Sequence, residues 1–312
     1  MTVLEYRNRL LAVSLVVLTV ITVLYYIYAR WEQNPADETV FRVPDLLAVD
    51  KVLLESKGST VEVSFDGVRW NANGELADRN MIDVLFATLE QVKPLRPVAG
   101  ALKDSVTNHL QQNGVSVSLF DGDVPLLSFV AGGNSRKTQA WFYKPGDRSY
   151  VMTIPGYRVY ASGIFELDAL GWKDKRAFQI NWRNFTTLKA TFPKNPSSDF
   201  EVKLVKDYFS IEGISSVDTT KLNDFLDAVS YLTVIEYGNS ASTLDSLLKS
   251  APEMVIQVND VTRKEHILAL YPTGTEEGRI AGVINGKYLG IFDRNTVEGV
   301  LRNRAYFITS SR

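Results

Sequence analysis

Few residues in this chain are of a type that could do chemistry. It holds two histidines, His109 and His266, and no cysteine. Without thiols there is no thiolate nucleophile, no thiolate metal site, no disulfide and no lipid attachment through an N-terminal Cys. A mechanism built on paired histidines has one candidate in each half of the chain. His109 stands beside Leu110 on an expected short helix. His266, in Arg263-Lys264-Glu265-His266, stands at an expected hairpin turn or edge. The two do not occupy equivalent positions in the two halves, and a metal site built on either needs carboxylates that spacing alone does not supply. Both are read as structural.

Paired carboxylates could cleave glycosides, but 36 acidic residues guarantee chance pairs. Asp121, Asp123 and Asp147 fall in expected turns, where an Asp side chain bonds its own backbone. Gly132-Gly133-Asn134-Ser135 and Gly238-Asn239-Ser240 are small and polar. Neither carries the following Lys or the spaced glycines of a phosphate cradle, so both are expected loops. There is no G-x-S-x-G, Walker A or H-E-x-x-H pattern. Trp141, Phe142, Tyr143 and Tyr150 could form a platform for a sugar or peptide. Alternation along strands favours cross-strand core packing. The run Trp172-Lys173-Asp174-Lys175-Arg176 could meet lipid headgroups or a partner, and is read as a solvated linker between domains. No catalytic, cofactor-binding or metal-binding residues are assigned.

The elements that must position these residues begin with an apolar stretch. Residues 10–28 read LLAVSLVVLTVITVLYYIY, without charge, Pro or Gly. As a helix they span about 28 Å, close to the hydrocarbon thickness of a bilayer. Tyr25, Tyr26, Tyr28 and Trp31 gather at one end, where an aromatic belt is expected. The stretch is too long for a signal-peptide core, and Ile27-Tyr28-Ala29-Arg30 is a poor cleavage site. The expectation is a short tail over 1–9 and a transmembrane anchor over 10–28. A polar stalk follows over 29–43, interrupted by Pro35. Arg7 and Arg9 precede the span, and Arg30 and Arg42 follow it. The basic tail favours a cytoplasmic start, with the C-terminal domain on the periplasmic side of the inner membrane.

The remaining residues suit two modest domains. The net charge of −2 gives no general attraction for phosphate backbones, so nucleic acid is not an expected partner. The soluble part reads as one unit written twice. After Asp78 the apolar residues Ile82, Leu85, Phe86, Leu89 and Val92 recur at the same offsets as Leu222, Phe225, Leu226, Val229 and Leu232 after Asp218. That spacing is one stripe of an amphipathic helix, and Asp is a good N-cap. A hairpin precedes each helix, turning at Asp66-Gly67 before Trp70 in the first copy and at Lys206-Asp207 in the second. A second helix follows each, marked by Leu102, Val106 and Leu110, and by Leu244, Leu247 and Leu248. About four antiparallel strands come next, and short helices close the copies near Ile164–Leu170 and Thr296–Leu301. The expected fold class is α+β, with repeats over 44–176 and 177–307 and a tail over 308–312.

The span, the hairpin ending in Trp70, the Asp78-led helix, the Val115–Val130 strand pair, the Ala140–Val151 aromatic hairpin and Leu170–Arg176 together resemble a bacterial family, the domain-of-unknown-function 4340 proteins. The resemblance runs over residues 1 to about 307. It implies an envelope protein of the kind often encoded beside ABC-type permeases, including gliding-motility ones, with no catalytic residues to carry over. The second copy has Phe209 where the first has Trp70. The expected function is a non-enzymatic, membrane-anchored module that contacts a membrane complex, its partners being the bilayer through residues 10–28 and a membrane protein. Two rival readings stand beside it. One is an extracytoplasmic enzyme acting on envelope polymer through cleft carboxylates, and the other a ligand-binding or sensing module on the aromatic hairpin.

Overall fold

The computed structural model describes residues 3–32, 37–180, 184–205, 208–271 and 278–309, with side chains of the first helix described over 11–27. The chain divides into two compact units, Met1–Lys173 and Asp174–Arg312. The division thus falls between 173 and 174 rather than between 176 and 177. Both units are α+β with a fully antiparallel sheet.

Unit 1 starts with α1 (Val3–Glu32). Its sheet uses β1 (Lys51–Ser56), β2 (Ser59–Phe65), β3 (Trp70–Ala72), β4 (Glu75–Leu76), β5 (Lys93–Pro97), β6 (Val115–Asp121), β7 (Val124–Gly133), β8 (Ala140–Tyr143) and β9 (Ser149–Thr153). The spatial order is β4-β3-β2-β1-β6-β7-β8-β9-β5. Helix α2 (Arg79–Gln91) lays Ile82, Leu85 and Leu89 into the core beside Val52, Val63, Val117 and Phe129. Helix α3 (Gly100–Asn113) meets β7, β8 and β9, burying Val106 and Leu110. Gly132 makes room for it, since a Cβ there would stand 2.8 Å from the Leu110 side chain. The chain closes through α4, the single turn Ala169–Trp172. The helix expected over Ile164–Leu170 is therefore displaced; residues 161–166 are turns.

The stalk expected over 29–43 is partly core. Phe41 and Val43 are buried, and the Phe41 ring packs edge-on against Phe129, Phe142 and Tyr150. The turn after β2 is also longer than the expected two residues. Asp66 and Arg69 close it, Asp66 donating its amide to the Arg69 carbonyl, with Gly67 at φ +92° and Val68 exposed.

Unit 2 repeats this plan with β10 (Phe185–Thr191), β11 (Phe200–Val205), β12 (Tyr208–Ile211), α5 (Thr219–Ser230), β13 (Glu236–Gly238), α6 (Ala241–Leu248), β14 (Met254–Asp260), β15 (Glu265–Tyr271), β16 (Arg279–Ile284), β17 (Tyr288–Asp293) and α7 (Arg294–Val300). The order β12-β11-β10-β14-β15-β16-β17-β13 is that of unit 1 without β4. Register makes the match residue by residue. Phe65 faces Trp70 as Leu204 faces Phe209, and Val63 faces Ala72 as Val202 faces Ile211. Leu119 faces Leu127 as Val258 faces His266. Both capping aspartates behave alike. Asp78 accepts from the amides of Asn80 and Met81, Asp218 from that of Lys221. The backbone amides of the two donate to the carbonyls of Trp172 and Phe307, at 2.8 and 2.9 Å. The Lys206-Asp207 turn and Pro35 lie outside the described residues.

In α1 every side chain over 11–27 is exposed, with Leu15 at 67% and Leu18 at 64%. Among the described residues no helix is long and apolar enough to cross a membrane. The side chains at Arg7, Arg9, Tyr28, Arg30 and Trp31 lie outside the described ones.

Candidate functional site

His266 is not at a turn or edge. It lies within β15 opposite Val258 and is buried, in the register position that Leu127 holds in unit 1. Its Nε2 stands 3.7 Å from Asp260 Oδ2. The Thr262 hydroxyl holds the Asp260 carboxyl below its ordinary pKa against the opposing pull of desolvation, assisted by the amides of Lys264 and Thr262. Sequence could not reveal this burial, because the charged triplet before His266 masks the strand alternation. His109 is exposed on α3, edge-on to Trp141 at 6.2 Å, with Asn113 Nδ2 3.4 Å from its Nδ1.

Of Asp121, Asp123 and Asp147, the last alone is held within its own turn among the described residues. Asp121 faces Val124 across the β6–β7 turn, Asp123 lies 3.6 Å from the Lys51 ammonium, and Asp147 accepts from the Arg148 amide and the Tyr150 hydroxyl. Burial first, and Asp147 second, push the Tyr150 hydroxyl up. Among the described residues no three His, Asp or Glu side chains gather as a metal ion would require.

The aromatic strand residues divide by face. Phe142 and Tyr150 are in the core, Phe142 stacked on Phe129 at 4.7 Å. Trp141 and Tyr143 are half-buried on the face that α3 covers, the Tyr143 hydroxyl accepting from Gln111. Gly132 and Gly133 are in β7, and the Asn134 side chain orders the next turn by accepting from the Thr138 and Gln139 amides. Gly238 is likewise in a strand, and Ser240 caps α6 by accepting from Thr243.

The run 172–176 is not a solvated linker. Trp172 is fully buried, and the Lys173 ammonium reaches Glu75 at 2.9 Å with its side chain only 11% exposed. Asp174, itself buried, grips Arg176 through both oxygens, while Tyr237 donates to its carbonyl at 2.6 Å. Charged letters concealed an anchoring segment, because Lys173, Asp174 and Arg176 are each paired with a partner distant or local.

Sequence reasoning missed a groove of about 540 Å³ in unit 2. One wall is the connection between β10 and β11, which begins at Phe192 and is pinned where the Phe192 amide donates to Asp199. Lys194 projects from that connection, its Nζ 3.5 Å from Glu253. The opposite wall carries Arg294, Leu301 and Asn303. Arg294 is half-buried, and its guanidinium has no hydrogen bond or ion pair among the described residues.

Unit 1 has a depression at the corresponding place, between the first hairpin, the start of β6 and the closing segment, of only about 60 Å³. Asp168 and Glu166 line it. Asp168 caps the turn that ends on Trp172, as Asn303 caps the turn that ends on Phe307. By that register Glu166 corresponds to Leu301. Two carboxylates in unit 1 thus become Leu and Asn in unit 2. The one signal available in sequence was the longer β10–β11 connection, Phe192–Asp199, against the Lys57-Gly58 turn of β1–β2.

Neither a curated protein nor a solved structure matches the chain. The model of a family described as domain of unknown function (DUF4340) matches residues 70–251, from β3 of unit 1 to just beyond α6 of unit 2, a narrower span than the resemblance over 1 to about 307 implied. The match covers more than half of the sequence, and the chain belongs to the DUF4340 family.

Proposed function

We propose that this protein is a non-enzymatic, single-pass membrane-anchored envelope component whose paired α+β units act outside the cytoplasm as an accessory module of a membrane complex. The observation that carries the reading is α1. Its sequence is uncharged over 10–28, and its side chains over 11–27 are apolar or small and exposed to solvent. Contiguous apolar surface of that extent is stable only when something covers it; the described side chains over 11–27 alone are too short to cross a membrane, and it is the uncharged sequence over 10–28 with its aromatic flank that suits lipid. The two histidines, in separate units, and the engagement of Asp147 within its own turn support a binding role over catalysis. The resemblance to envelope proteins encoded beside permeases supports an ABC-type transporter or gliding-related complex as the partner.

Fractionation tests the anchor. The full chain should stay in the membrane pellet through carbonate extraction, whereas a chain lacking residues 1–32 should appear in the soluble fraction. Full-length protein released by carbonate would refute anchoring. Co-purification in mild detergent tests the module: a stable membrane-protein neighbour is expected, and a lone monomer would count against it.

A further inference from the structure

We propose that the groove of unit 2 is a binding site for a small molecule bearing a carboxylate or phosphate group beside an apolar body. The charge balance points that way. Lys194 and Arg294 bring two cations to the groove against one carboxylate, Glu253, and it is Lys194 that Glu253 faces. Arg294 is a half-buried residue whose guanidinium makes no hydrogen bond or ion pair among the described residues. A guanidinium whose donors are not engaged by the protein can give two of its N–H groups to one planar oxyanion.

The walls supply the rest of the recognition. Phe192 and Leu301 offer apolar surface, and the Asn303 amide nitrogen has no partner among the described residues while its oxygen caps the Tyr306 amide. The volume falls within the range of small-molecule sites, about 300–1,000 Å³. Comparison of the units gives a second, independent argument. In unit 1 the same corner of the sheet is nearly filled and bears Glu166 and Asp168, with Glu166 held by Lys137 at 3.0 Å. In unit 2 the corner is widened by the Phe192–Asp199 connection, both carboxylates are gone, and two cations are present. Widening and charge reversal at one place are unnecessary for folding, since unit 1 builds the same sheet without them.

The test is calorimetric titration of the full chain in detergent with benzoate, with phenyl phosphate and with inorganic phosphate. Saturable binding of benzoate or phenyl phosphate at one molecule per chain is expected, and whichever binds identifies the oxyanion. Binding of inorganic phosphate as tight as that of phenyl phosphate would remove the apolar half of the proposal. Arg294→Gln should weaken binding at least about tenfold, equivalent to ~1.4 kcal/mol. Leu301→Glu, which restores the carboxylate of unit 1, should do the same, and Lys194→Gln provides a variant at an exposed position if either of these fails to fold. Arg96→Gln in unit 1 should change nothing. The proposal is overturned if no probe binds saturably, if the groove variants bind as the parent does, or if Arg96→Gln weakens binding equally.

Discussion

Replacing Trp172 tests how unit 1 is closed. Its side chain is fully buried, and its indole Nε1 is the one buried side-chain polar atom without a partner among the described residues. Two effects oppose each other in Trp172→Phe. Losing three ring atoms from a packed core costs about 2–3 kcal/mol, at roughly 0.8–1 per methylene-sized group. Removing an unsatisfied buried N–H returns about 1–3 kcal/mol. The net cost should lie between about −1 and +2 kcal/mol, in keeping with Phe307 filling the equivalent position in unit 2. Trp172→Ala has no such return and should cost about 3–5 kcal/mol. Two units need not unfold together, so a single denaturation midpoint is the wrong readout. Hydrogen exchange at the core strand amides of Val52 and Val117, in unit 1, against Leu188 and Ile256, in unit 2, separates them. Loss of protection should be large and confined to unit 1 for Ala, and small for Phe. If Phe and Ala cost the same, the missing hydrogen bond has no energetic weight and the reasoning fails.

Three further perturbations follow from the same contacts. Asp78→Ala should cost about 1–2 kcal/mol by uncapping α2, more than Asp218→Ala, because Asp78 is buried and accepts from two amides where Asp218 accepts from one; hydrogen exchange read separately in the two units checks the order. The Arg69 amide, with Asn71 and the Val68 amide, holds the exposed Asp66 carboxyl down to about 2 from 3.8. A lowered folded-state pKa gives stability that is complete above the unfolded value and lost as pH falls from about 4 towards 2; the carboxyl carbon of Asp66 should titrate near 2 by NMR, and a midpoint near 4 would contradict it. Gly133→Ala would press a methyl onto the Gln139 carbonyl and the Tyr160 ring. Overpacking of that kind costs about 1–3 kcal/mol; unchanged hydrogen-exchange protection at Val52 and Val117 would show that the contact is soft.

What the sequence made legible was what period and capping encode. The helices led by Asp78 and Asp218 were readable because burial repeats the 3.6-residue stripe, and the strands from Val115 and Met254 because alternate residues are buried. β5 was not readable, since Pro94 and Pro97 are poor strand residues; it forms because an edge strand leaves one side of its backbone unpaired. The same holds for β13, where Gly238 ends an edge strand that pairs only with β17. Phe41 was lost in a polar stretch, and Trp172 behind four charged neighbours. In both cases burial is decided by tertiary partners that no local pattern announces.

The groove escaped for a different reason, which bears on how the two copies diverge. Of the positions facing each core, Trp70 against Phe209, Trp172 against Phe307 and Leu127 against His266 exchange one bulky buried or half-buried side chain for another, while Ala72 against Ile211 exchanges small for large. A close-packed interior accepts such a change only where neighbours compensate for it. At the rim no such compensation is needed. There the β10–β11 connection lengthens, Glu166 gives way to Leu301, and Asp168 gives way to Asn303, which keeps the cap while discarding the charge. Retention of the capping oxygen shows that folding constrained this position, and loss of its charge shows what folding left free. Where two copies keep every structural duty and differ in charge and volume at one corner, that corner is the place in this chain where a function separate from the fold should be sought.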